Sequence, residues 1–176
     1  MILRMTLLLF TAAAAVKDIQ CRSISNALIG AAIVNGFFLQ LSGNGLYGLI
    51  KAAVGMGIPV VLCGWLFVLA MMGAGDLKLL MAVGVYMGPK GTIGVIVLAF
   101  ISGAVMSMTQ LMKHGIFRER MQYLWNYIQQ TASGKREPYM DMTCPEKSEK
   151  WTICFAVPVF MAVVMMSIAD VVRVLG

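Results

Sequence analysis

The stretch GAGDLKLLMAVGVYMGPK occupies residues 73–90. Asp76 and Lys78 stand at the head of an apolar run that stops at Gly88-Pro89-Lys90. Glycine with proline just beyond it is a helix stop, so the spacing predicts a helix over 76–87. At 1.5 Å per residue such a helix is roughly 18 Å long, whereas a hydrocarbon core is about 30 Å thick. In a membrane, Asp76 is therefore expected below the surface, in a recess lined by the Gly73-Ala-Gly75 backbone. Irregular backbone at that depth is tolerated only beside protein or a water-filled cavity.

The chain around this stretch reads as membrane protein. Only 12% of its 176 residues are charged and its mean hydropathy is +0.83. A soluble domain carries about 25% charged residues, so ordinary globular and disordered classes are excluded. Apolar runs cover 2–16, 24–41, 46–72, the short run before Gly88, 91–112 and 152–172. The first resembles a signal peptide but shows no cleavage site before a mature domain, and it is read as a retained helix. Ser42-Gly-Asn-Gly45 is a turn-rich break. Pro59 is expected to kink the third run, and Lys51 to snorkel. The expected fold is an all-α polytopic membrane protein, a single domain over 1–176 with six transmembrane helices and one loop at 113–150.

Basic residues orient the spans. With connections numbered alternately, one side receives ten Lys and Arg, the long loop included, and the other receives Arg4, Lys51, Lys90 and Arg173. The first side is expected to be cytoplasmic, with both termini outside. The net charge of +6 then suits anionic lipid rather than nucleic acid. Within the loop, Phe117, Met121, Leu124, Trp125 and Ile128 mark one face of an amphipathic helix, suited to the membrane interface as an anchor or as a substrate entrance. Residues 131–150 read as a surface loop. Cys21, Cys63, Cys144 and Cys154 form no C-x-x-C pair; Cys63 and Cys154 are read as packing residues. His114 has no partner histidine and is read as a loop residue. No metal site is expected.

Three aspartates border the apolar runs: Asp18, Asp76 and Asp170. An ionisable group at membrane depth is costly and invites a functional reading. Asp170 is expected to pair with Arg173 at i+3. Asp18 and Asp76 fall at ends of spans on the same side. Two carboxylates that face each other hold one proton between them, since like charges at about 3 Å cannot both ionise. One then acts as general base on water, and the other polarises a scissile carbonyl and protonates the leaving amine. The topology equally admits snorkelling charges, a cation site or a proton path.

The residues around the two aspartates carry a resemblance. Gly73-Ala-Gly-Asp76 with Lys78 is a GxGDxK sequence, and Asp18 is followed by Ile24-Ser25-Asn26 and Leu28. This resembles the type 4 prepilin peptidase family of GxGD membrane aspartyl proteases, in which the first aspartate precedes Ile-Pro-Asn-x-Leu. Ser25 stands where that family usually has proline. Phe155-Ala-Val-Pro158 also looks like the start of the family's final helix. The resemblance implies Asp18 and Asp76 as catalytic residues, supported by Gly73, Gly75, Lys78 and Asn26, without a cofactor. Lys78 is expected to point away from Asp76, toward lipid phosphate or a loop, and Asn26 either to bond near Asp18 or to start the second helix.

The implied activity is removal of the short basic leader from prepilins or pseudopilins at the cytoplasmic face of a bacterial inner membrane. Larger members of the family also N-methylate their product and carry a domain with paired C-x-x-C motifs. This chain resembles the short, peptidase-only form, closest to enzymes of tight-adherence (Flp-type) pili. Two rivals stand beside that reading. One is an archaeal preflagellin-type peptidase. The other is a small ion or proton carrier using Asp18 and Asp76, although the outward half of the chain offers few polar residues for a path.

Overall fold

The computed structural model describes residues 2–21, 25–69, 72–113 and 154–175. They form four helices: α1 (Ile2–Cys21), α2 (Asn26–Val68), α3 (Ala74–Lys113) and α4 (Ala156–Leu175). The chain divides into two compact units, one of residues 1–103 with 154–176 and one of 104–153. Of the second, only 104–113, the end of α3, is described. The expected amphipathic helix over 117–128, the loop that follows it, His114 and Cys144 all lie outside the described residues.

Two of the helices, Asn26–Val68 and Ala74–Gln110, are long and apolar enough to cross a membrane. Helices α2 and α3 are each two helical arms joined at one non-helical residue, so the described residues hold six helical arms, and two of the breaks expected from sequence are those single-residue joints. In α2 the backbone leaves helical geometry only at Gly45 (φ 56°, ψ −144°), and in α3 only at Gly88 (φ 67°, ψ −176°). Both values lie in the left-handed region, where a Cβ is disfavoured. Through Pro59 the backbone φ and ψ stay helical.

Packing shows that the chain turns back at Gly45. A straight helix would hold Gly36 and Gly55 about 28 Å apart. Here a Cβ on Gly36 would meet Val85 and Tyr86, and one on Gly55 would meet the Gly84 backbone. Both arms of α2 thus lie against the same turn of α3. Gly55 and Gly84 let two backbones touch, the close approach that small residues allow in membrane helices. The turn at Gly88 acts likewise. Beyond it, Gly94 faces Met166, and Gly103 faces Phe155 and Pro158, so the second arm of α3 runs antiparallel to α4. Helix α1 is also antiparallel to α4, with Arg4 bonded to Asp170 and Asp18 to Ala156.

The core lies where these arms converge, on Leu7, Ala14, Leu80, Val83, Val95, Ala99, Val159 and Val163. Lipid-type side chains such as Leu9, Phe38, Val61 and Ile101 are exposed, as an outer face toward hydrocarbon requires. Among the described residues Gln40 is the largest buried side chain of the polar kind, 2% exposed. Its position answers a local need. Pro89 has no N–H, so the Val85 carbonyl four residues earlier loses its helical partner. Gln40 Nε2 donates to Val85 O at 3.3 Å and to Tyr86 O at 3.2 Å, which satisfies both acceptors beside the break. Cys63 is buried and packs in the core, as expected.

Candidate active site

Helix α1 buries one face, made of Leu7, Thr11, Ala14 and Ala15. These residues recur at helical spacing, and the next member one turn on is Asp18. The same amphipathic logic that packs the helix therefore carries a carboxylate into the protein. Asp18 is only 8% exposed. Its Oδ2 accepts a hydrogen bond from the Ala156 backbone N–H at 3.1 Å, at the first residue of α4. The first N–H groups of a helix have no partner of their own, and Asp18 supplies one. Cys154 Sγ lies 3.4 Å from the Asp18 carbonyl oxygen and donates to it. Cys154 was expected only to pack; it lies beside Asp18.

Asp76 begins a second buried face, continued by Leu79, Leu80, Val83 and Tyr86. It is half-buried and stands in the first turn of α3. Gly73 takes the N-cap place: its carbonyl accepts from Leu77 N–H at 3.2 Å. Asp76 then stands in the third helical position. A Cβ on Gly73 would lie 3.2 Å from Asp76 Oδ2, so glycine leaves the carboxylate its room. Gly75 is half-buried in the same turn.

The two carboxylates come from helix ends that meet. Ala14, one turn before Asp18, and Leu79, one turn after Asp76, line the same small space, so both carboxylates stand toward one end of the α1–α3 contact. Lys78 and Asn26 meet as well: Lys78 Nζ donates to Asn26 Oδ1 at 3.0 Å, at an exposed position. Lys78 was expected to find lipid or a loop; it finds the first residue of α2 instead. Two residues along a helix do turn the side chain away from Asp76, but α2 occupies the space on that side. Asn26 does start α2, and its amide accepts from Lys78 rather than reaching Asp18. Ser25, the N-cap of α2, has φ −62° and ψ 124° and makes no side-chain cap bond. Proline adopts that φ without strain, so the departure from the family's motif leaves the backbone unchanged.

Asp170 pairs with Arg4 of α1 at 3.0 Å. The Arg173 side chain expected beside it lies outside the described residues. Among the described residues no group of His, Cys, Asp and Glu has the makings of a metal site.

A protein-family model, described as the type IV leader peptidase family, matches residues 5–108. That span includes both aspartates, Asn26 and the whole GxGDxK sequence. No curated protein matches the chain, and no solved structure does.

Proposed function

Because this chain belongs to the type IV leader peptidase family, we propose that it is an aspartic endopeptidase that removes the short basic leader of prepilins or pseudopilins. One observation supports the reading: α1 and α3 line one space through Ala14 and Leu79, and the next turn of each carries an aspartate, Asp18 buried and Asp76 half-buried. One carboxylate takes a proton from water, and the resulting hydroxide attacks the scissile carbonyl. The other donates its proton to the developing oxyanion, then helps return a proton to the leaving amine. The bond broken is the amide after the leader, and water supplies the hydroxyl of the new carboxylate. Ala156 N–H holds Asp18 while the reaction proceeds. No metal or cofactor enters the scheme.

The proposal extends to topology. The reversals at Gly45 and Gly88 let α2 and α3 each cross the membrane twice, which with α1 and α4 makes six crossings. The aspartate end then faces the cytoplasm of a bacterial inner membrane, where a leader and its hydrophobic helix would meet it. The reading is of a peptidase without methyltransferase activity, serving a pilus of the tight-adherence kind.

A carrier using the two aspartates is disfavoured by the packing between the ends. Between the aspartates and the far end, the one pocket lined by Leu7, Thr11, Ala14, Leu79, Val83 and Tyr86 holds about 10 Å³. A single water needs ~10–15 Å³ and several polar partners, and this lining is almost wholly apolar. An ion path would have to open it.

The test is co-expression with candidate prepilins, scored by mass for loss of the leader. Wild-type protein should release it, and Asp18→Asn and Asp76→Asn should not, while both variants accumulate in the membrane. Substantial processing by either variant would remove the paired-aspartate mechanism. Accessibility labelling should place 113–150 in the cytoplasm; labelling from outside would reverse the orientation.

A further inference from the structure

At the end of the helical unit opposite the aspartates lies a cavity of about 410 Å³. Arg4, Gln40, Asn44, Lys51, Lys90 and Asp170 supply its polar lining. We propose that this cavity binds an anionic phosphate group, as a phospholipid headgroup or as free phosphate. The volume falls within the ~300–1,000 Å³ of small-molecule sites.

The charge count points to an anion. Three cations line the cavity against one carboxylate, and Asp170 is taken by Arg4 at 3.0 Å. Lys51 and Lys90 have no carboxylate partner among the described residues. A lysine ammonium is a compact point charge with three donors, a common phosphate binder.

The fold builds the site. Lys51 follows the reversal at Gly45, and Lys90 follows the reversal at Gly88. The Lys51 stem lies across Gly88, where a Cβ would be 2.9 Å from Cγ and 3.3 Å from Cδ. Gly88 thus serves twice, by its positive φ and by making room for this lysine. Gln40 spends its amide N–H groups on Val85 O and Tyr86 O, and Asn44 Nδ2 donates to Gln40 Oε1 at 3.2 Å. The second hydrogen on that Asn44 nitrogen supplies a further donor. Two kinks, two exposed lysines and an amide relay from buried Gln40 to exposed Asn44 converge on one cavity. Lysines that only snorkelled would need none of this.

The inference is independent of leader cleavage, and its test does not use it. The purified full-length protein is exchanged into detergent with equal phosphatidylglycerol and phosphatidylcholine, and retained lipid is weighed by native mass spectrometry. One phosphatidylglycerol per chain should be retained in preference to phosphatidylcholine. The Lys51→Gln/Lys90→Gln variant should lose about 25-fold of that preference, from a roughly fivefold effect per lysine beside an anionic lipid. Lys17→Gln, at the aspartate end, should retain it.

In a second arm, inorganic phosphate is titrated against the thermal unfolding midpoint, with chloride at matched ionic strength as control. A rise in wild type that is lost in the double variant means that free phosphate enters the site. Lipid selection without that rise means that the headgroup is required. Equal retention of the two lipids by wild type, with no effect of phosphate, would overturn the proposal whether or not the variants fold. So would a preference that survives loss of both lysines.

Discussion

At the aspartate end, the Asp18 carboxylate accepts from the N–H of Ala156, so a side chain is held by backbone at the start of a helix. At the opposite end the direction of donation is reversed. There a side chain, Gln40, gives its hydrogens to backbone carbonyls left over at the Pro89 break. The chain also turns differently at the two ends. Near the aspartates, separate helices meet through connecting segments, whereas at the far end α2 and α3 reverse within one residue each, at Gly45 and Gly88. The first arrangement leaves Asp18 buried and Asp76 half-buried. The second ties both arms of α2 to one turn of α3, where backbones touch.

Substitutions at the two ends should therefore be read by different instruments. The largest effect is expected at the aspartates. Asp18→Asn or Asp76→Asn removes a proton-handling group at nearly constant shape and should lower purified leader cleavage by roughly 10²–10⁴-fold. The unfolding midpoint should move little by comparison. A variant that lost its fold before its rate would break the comparison, because the aspartates would then be structural.

At the far end the expected loss is of stability. Gly84→Ala puts a methyl group against the Gly55 carbonyl and should cost about 1–3 kcal/mol, as overpacking does. Denaturant or thermal unfolding in detergent would measure it, and an unchanged midpoint would mean that the two helices do not touch there. Gln40→Leu should cost a similar ~1–3 kcal/mol, since the Val85 carbonyl would be left buried without a donor. Its sign separates a hydrogen bond from mere bulk, because leucine fills much of the same space.

Smaller effects sharpen the picture of the aspartate end. Lys78→Ala removes one exposed hydrogen bond to Asn26 and should cost under about 1 kcal/mol of stability. A double-mutant cycle with Asn26→Ala would isolate the pair; a coupling indistinguishable from zero would make the contact incidental. Ser25→Pro should be tolerated or should stabilise by roughly 0.4–1 kcal/mol, because proline stiffens the unfolded chain at a φ already occupied. Destabilisation there would mean that Ser25 N–H is needed.

Much of this was legible in the residues themselves. Low charge and long apolar runs specify a membrane-type helical chain because an apolar face must be buried or lie in lipid. The reversals at Gly45 and Gly88 were legible as breaks, since glycine beside polar residues or proline cannot continue a helix unchanged. Asp18 and Asp76 stood out because carboxylates at span ends are costly, and the GxGDxK spacing tied them to a family that the match over 5–108 bears out. Lys78 and Asp170 went differently. Periodicity tells which face of its own helix a residue occupies, but not which other helix lies opposite. The ion pair from Asp170 to Arg4 joins positions 166 apart in sequence, and nothing local announces it.

Sequence alone thus determined composition, helix type, the places where helices stop and the two candidate carboxylates, all of which follow from a residue and its near neighbours. Tertiary structure decided which helix ends meet. It set Ala156 N–H on Asp18, joined Lys78 to Asn26, sent Gln40 to the carbonyls beside Pro89 and gathered Lys51 and Lys90 around one cavity. Each of these depends on how the arms pack, and packing is a property of pairs of surfaces that no single run of residues contains.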